Sequence, residues 1–161
     1  MDEVPVDAVI RDVVDSFEKT AREKGINLRI DDLPAWEVSG HDVWLGQLFS
    51  NLLENAMKFT PEGGSIVVAG TANGSSAKFS VEDTGIGIPE KHVPYVFDRF
   101  YRVDSSREHY CGTGLGLAIC KSIADVHRGT ITVEARPGGG TRFVVSLPSV
   151  DPIQQDGIPS A

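Results

Sequence analysis

Asn51 and Asn55 lie one helical turn apart with Lys58 three residues further on, beside an apolar face of Leu45, Leu48, Phe49, Leu52, Ala56 and Phe59. Asparagine is a poor helix-interior residue because its amide competes for backbone hydrogen bonds, so a pair of them needs a reason. An amide oxygen is a neutral, hard ligand. Asn55 can therefore complete a Mg²⁺ shell whose other oxygens come from phosphates and water, with Lys58 placed to meet phosphate charge. Two solvated polar residues flanking a core stripe would look the same on this helix alone. A second signal is Asp83-Thr84-Gly85-Ile86-Gly87-Ile88-Pro89 directly after a predicted strand. Its glycines permit close backbone approach, and a carboxylate beside them can accept from an exocyclic amine. Adenine offers that amine at N6 where guanine offers an oxygen, so a buried Asp83 would select ATP over GTP. A simple Asp-Gly turn is the plainer reading of so short a motif. The third signal, Gly112-Thr113-Gly114-Leu115-Gly116-Leu117, opens a helix and uncovers backbone N–H groups for an anion. Its spacing is neither a dinucleotide fingerprint nor a P-loop, and alone it also fits a simple turn.

Between the second and third signals runs Phe97-Asp98-Arg99-Phe100-Tyr101-Arg102, followed by Arg107. The aromatics can dock an otherwise mobile segment, and the arginines can meet a triphosphate when it closes. A surface loop offsetting an acidic chain would explain the charges but not Phe97, Phe100 and Tyr101.

Positioning these residues falls to a small set of elements. Val6, Val9, Ile10, Val13, Val14, Phe17 and Ala21 recur at helical steps, which predicts a helix from Pro5 to Glu23 stopped by Lys24-Gly25. Ile26–Ile30 reads as a strand, and Ala35–Val38 as another short one. The asparagine-bearing helix starts after Gly40 and runs to about Phe59, before the breaker Thr60-Pro61-Glu62-Gly63-Gly64. Ser65–Thr71 and Ala77–Glu82 read as a hairpin turned at Asn73-Gly74. The long stretch from Asp83 to Thr113 has room only for short helical pieces, and so long a loop is usually functional. A third helix follows from about Gly114 to His127, ended by Gly129, then strands Thr130–Ala135 and Thr141–Leu147. Three main helices and about five mostly antiparallel strands make a two-layer α/β sandwich. The tail from Pro148 to Ala161 has little apolar material and is expected to be disordered, leaving residues 1–148 as one domain.

Composition excludes several alternatives. The 161 residues suffice for one cored domain and contain no run approaching the roughly 20 apolar residues of a membrane span. A formal charge of −8 disfavours a nucleic-acid partner. Cys111 and Cys120 cannot build a disulfide framework or a four-cysteine zinc site. Cys111 is expected to be a passive residue, with no activator nearby in sequence. The plain expectation is a cytoplasmic domain, monomeric when isolated.

Taken in order, Asn51-Leu-Leu-Glu-Asn55-Ala-Met-Lys58-Phe-Thr, Asp83-x-Gly85-x-Gly87, Phe97-x-x-Phe100 and Gly112-Thr-Gly114-Leu-Gly116-Leu117 resemble the N, G1, F and G2 boxes of sensor histidine kinases. Gly138-Gly139-Gly140-Thr141 resembles the closing glycine-rich turn of the same catalytic domain. The resemblance implies the Bergerat fold, with a lid over Mg·ATP. It places the metal on Asn55 and supporting contacts on Asn51, puts phosphate contacts on Lys58 and on Arg102 of the lid, and gives adenine reading to Asp83. Gly112, Gly114 and Gly116 would close the lid, with Thr113, Leu115 and Leu117 among them. Phe97 and Phe100 would hold the lid base. Gly85, Gly87, Ile88, Tyr101 and Thr141 complete the implied nucleotide contacts, and Glu54 stays an exposed charge.

Related ATPases carry a water-activating Glu where Asn51 stands, and an amide cannot act as that base. The resemblance therefore implies slow hydrolysis, with the γ-phosphoryl group kept for a histidine on a separate dimerisation hairpin and then a response regulator. None of His41, His92, His109 and His127 lies in the acceptor motif of that family, so the acceptor is expected outside this chain. A nucleotide-gated interaction module without transfer is the alternative. An ATPase or an anti-sigma-type serine kinase on the same fold is a third.

Overall fold

The computed structural model describes residues 1–101 and 115–149. The expectations for Arg102, Arg107, His109, Cys111, Gly112, Thr113 and Gly114, and for residues 150–161, lie outside the described residues. The chain runs β1 (Asp2–Pro5), α1 (Val6–Lys24), β2 (Asn27–Ile30), β3 (Glu37–Gly40), α2 (Asp42–Phe59), β4 (Ser65–Asn73) and β5 (Ser76–Asp83). A 3₁₀ turn (Glu90–Tyr95), α3 (Gly116–Val126), β6 (Thr130–Ala135) and β7 (Thr141–Pro148) follow.

Five strands form one sheet in the order β2-β4-β5-β7-β6. Only the β2–β4 pair is parallel, so the sheet is mixed and mostly antiparallel. Its inner residues Ile66, Val68, Phe79, Val81, Phe143 and Val145 bury against the helices, giving the expected two-layer α/β sandwich. The β4–β5 turn sits one residue later than Asn73-Gly74 suggested. Asn73 pairs with Ser76 across Gly74-Ser75, and the positive φ of 64° is at Gly74. Glycine at the first central position is the requirement of a type II′ turn.

A second, two-stranded sheet was not expected. β1 pairs antiparallel with β3, so the residues just before α1 form a strand. The short run Asp2–Pro5 has too few residues for its alternation to stand out from the helix behind it. β7 also runs one residue further than Leu147. Pro148 is the last residue of β7, and the Ser149 N–H donates to the Ser75 carbonyl at 2.9 Å.

α2 is the middle helix, packed against α1 on one side and α3 on the other. Leu45, Leu48, Phe49, Leu52 and Ala56 are buried as their spacing predicts, but so are Leu53 and Met57. A helix with neighbours on both flanks needs a wider apolar arc than a helix lying alone on a sheet. α3 runs antiparallel to α2 and is joined to it by buried polar groups. The Cys120 thiol donates to the Leu48 carbonyl at 3.5 Å. His127, only 3% exposed, accepts the His41 N–H at 3.0 Å and places its other ring nitrogen 2.8 Å from the Ile123 carbonyl. With one nitrogen accepting and the other facing a carbonyl, the ring is the neutral tautomer protonated on Nδ1. Gly40 makes room for it, since a Cβ there would stand 2.2 Å from the imidazole. His127→Leu should cost about 1–3 kcal/mol in urea unfolding, because the half-buried His41 N–H loses its partner.

Candidate functional site

β5 ends at Asp83 in the middle of the sheet, with β4 on one side and β7 on the other. Its carboxylate is 4% exposed and accepts the Gly85 N–H at 2.8 Å. Burial pushes this carboxyl above the usual carboxylate range. The N–H groups of Gly85 and Thr141 and the Arg136 charge pull it back less strongly, while Glu82 adds to the upward push. Thr141 is paired with Asp83 across the β5–β7 ladder and is itself buried.

The backbone around Asp83 admits only glycine at two points. A Cβ on Gly140, whose φ is 114°, would lie 1.9 Å from the Asp83 carbonyl oxygen, and one on Gly85 would lie 2.4 Å from the Phe59 carbonyl. The preceding turn is tied by Arg136, which donates to the Gly139 carbonyl at 3.1 Å and to Glu82 Oε2 at 2.8 Å. Thr84 is fixed as well, its hydroxyl accepting the Ser65 N–H at 2.9 Å. A rigid cradle thus surrounds one buried acceptor.

Ile88 is half-buried against the core beyond Gly87, whose φ is 76°. Phe97 packs edge-on against Phe143 with centroids 6.1 Å apart, so it anchors the segment as expected. Phe100 does not. It is 67% exposed with a φ of 65°, and the following residue does the packing instead: Tyr101 is stacked with Tyr95 and bonded to His92. The left-handed backbone at Phe100 turns its side chain away, which a spacing of three in the sequence cannot reveal.

On α2, Asn51 and Asn55 are half-buried, while Glu54 and Lys58 are exposed. Asn51 accepts from the Gln47 amide at 2.7 Å and donates to the Gly116 carbonyl of α3 at 3.3 Å. Gly116 and Leu117 form the first turn of α3 and Leu115 precedes it. Asn51 and the α3 N-terminus therefore come together, and the cradle around Asp83 touches the last turn of α2 through Phe59. Among the described residues no group of three or more His, Cys, Asp or Glu could hold a metal. Burial pushes the Cys120 thiol up to about 12, so it is inert. His127, Gln47 and Arg136 carry structural duties that their spacing in the sequence did not signal.

Known proteins share both sequence and fold. The family model described as histidine kinase-, DNA gyrase B- and HSP90-like ATPase matches residues 40–151. The phosphate regulon sensor protein PhoR of Pseudomonas aeruginosa is 40% identical over 141 residues, covering 87% of this chain and 32% of its own length. Sensor histidine kinase CusS of Escherichia coli strain K12 is 43% identical over 139 residues, covering 85% of this chain and 28% of its own. The chain thus spans about a third of these relatives. A solved structure of the mycobacterial sensor histidine kinase MprB superposes with a TM-score of 0.81 at 32% identity, covering 92% of this chain and 99% of that one.

Because Asp83 protonates more readily when folded than when unfolded, its ionisation opposes folding as pH rises through the raised value. Asp83→Asn should remove that decline, so its stability relative to the native chain should improve as pH climbs above the ordinary carboxylate range in pH-dependent urea titrations. A parallel comparison tests the cradle. Gly140→Ala should destabilise more than Gly139→Ala, whose φ is 111° but whose Cβ would meet nothing within 4 Å.

Proposed function

The chain belongs to the histidine kinase-, DNA gyrase B- and HSP90-like ATPase family, as an ATP-binding catalytic domain of the sensor histidine kinase type, and we propose that it transfers the γ-phosphoryl group of ATP to a histidine outside it. The observation that carries this reading is the buried Asp83 carboxylate inside a cradle that a single Cβ would fill. A carboxylate in that setting accepts the adenine N6 amine and rejects guanine, whose oxygen would face it unpaired. Gly85, Gly87 and Ile88 flank the base, and Thr141 holds Asp83 in place from β7. The buried Thr60 hydroxyl, directly after Phe59, has no partner among the described residues, and a polar ligand or water at this end of α2 would satisfy it.

The donor set fits Mg²⁺. Asn55 offers a neutral amide oxygen from a half-buried position, without a competing carboxylate cage among the described residues. Mg²⁺ held there with ATP would neutralise charge on the phosphates. Asn51 supports the same region, Lys58 and Arg102 contribute positive charge, and Tyr101 sits at the base of the segment carrying Arg102. Gly112, Thr113, Gly114, Leu115, Gly116 and Leu117 would supply backbone N–H groups over the phosphates. These residues bind, orient and screen. None provides a general base for water, so we assign slow hydrolysis and retention of the γ-phosphoryl group for a protein acceptor.

The acceptor we assign is a histidine on the dimerisation hairpin of the parent kinase, with a response regulator next in line. An apolar groove of about 720 Å³ supports a helical partner. It is lined by Val43, Trp44, Leu115, Ile119, Ile123 and Val126, and Val43 is 75% exposed. It adjoins the contact between Asn51 and α3, so a helix laid there would bring a side chain beside the phosphates. No helix among the described residues is long and apolar enough to cross a membrane. The reading places the domain, residues 1–148, in the cytoplasm where ATP is available.

Asp83→Ala should abolish ATP binding by calorimetry while circular dichroism stays unchanged. Asn55→Ala should weaken binding about tenfold with Mg²⁺ and much less without it. Incubating the chain with the parent hairpin and γ-labelled ATP should produce acid-labile phosphate on the hairpin. Its absence, with ATP binding intact, would replace phosphotransfer by nucleotide-gated docking.

A further inference from the structure

A primary amide has a donor end and an acceptor end of nearly equal size, so its neighbours alone decide which way round it sits. For Asn51 those neighbours are on two helices. The Gly116 carbonyl on α3, 3.3 Å away, requires the nitrogen. On α2 the Gln47 Nε2 donates to Asn51 Oδ1 at 2.7 Å, the shorter of the two amide contacts. Gln47 is exposed and belongs to no part of the core. The remainder of α3 is held independently of this chain of amides, by Cys120 against Leu48 and by His127 against His41.

We propose that Gln47 is a positioning residue for Asn51. Its amide holds the Asn51 side chain in the rotamer that reaches the Gly116 carbonyl, and through that carbonyl it steadies the first turn of α3 against the proposed phosphate side of α2. This rests on the reading of Asn51 as part of the phosphate site. Two consequences follow from hydrogen-bond polarity. A glutamate at position 47 only accepts, so it cannot donate to the Asn51 oxygen while the Gly116 carbonyl holds the Asn51 nitrogen, and the contact gives way to repulsion between the two oxygens. A methionine neither donates nor accepts strongly, so the contact is lost without gaining a charge.

The test uses the full chain with Gln47→Met and Gln47→Glu. Two quantities are measured: the Asn51 side-chain NH₂ resonances without nucleotide, and ATP affinity by calorimetry at high salt, which screens the new charge. Thermal midpoints should stay close to the native value in both variants. Expected are displaced Asn51 resonances in both, with ATP affinity falling about threefold to tenfold, the loss carried by one orienting hydrogen bond. Gln47→Glu should fall further than Gln47→Met. Unmoved resonances and affinity in both variants, with Asn51→Ala still lowering affinity, would overturn the positioning role. If Asn51→Ala leaves ATP affinity unchanged, the reading of Asn51 as part of the site fails, and this inference fails with it.

Discussion

The Asp83 carboxylate must give up most of its water to sit at the end of β5, and much of the surrounding backbone is arranged around that cost. Two N–H groups, from Gly85 and Thr141, replace part of the lost hydration. They reach it only because Gly85 and Gly140 let two other backbone segments come closer than any side chain would allow. The Arg136–Glu82 pair, half-buried beside the same strand, holds the glycine-rich turn in its shape. A central strand is the natural host, since its ladder partners on both sides fix the carboxylate's position through the register.

The proposed phosphate side is built differently. There the side chains are amides and a lysine on the middle helix, brought near the start of α3 by the antiparallel packing of α2 and α3. Among the described residues, polar contacts that cross that seam include Asn51 with Gly116, Leu48 with Cys120 and His41 with His127. Together they fix register, because sliding by one residue would leave each partner unpaired, at most cost for the buried Cys120 contact. The seam thus transmits position from the core to the first turn of α3, where the backbone N–H groups are.

What the sequence disclosed followed from periodicity and punctuation. α2 starts and stops where Gly40 and Thr60-Pro61 place it, and the β4–β5 hairpin was legible from its alternation and turn residues. The individual boxes were ambiguous; their order along the chain was not. Contacts decided in three dimensions stayed hidden. Leu53 and Met57 are buried because α2 has two flanking helices, a fact no single-helix pattern carries. β1 and β3 recognise each other across α1. Phe100 is left exposed, while Tyr101 packs, because Phe100 adopts a left-handed backbone. Gln47 and His127 looked ordinary, since polar residues on helices usually face solvent.

The three glycines in positive φ that close the β6–β7 turn leave the floor beneath Asp83 without side-chain freedom. A small heterocycle set against that floor would meet fixed backbone and would have few rotamers to freeze, so selectivity among relatives would have to be sought at the rim.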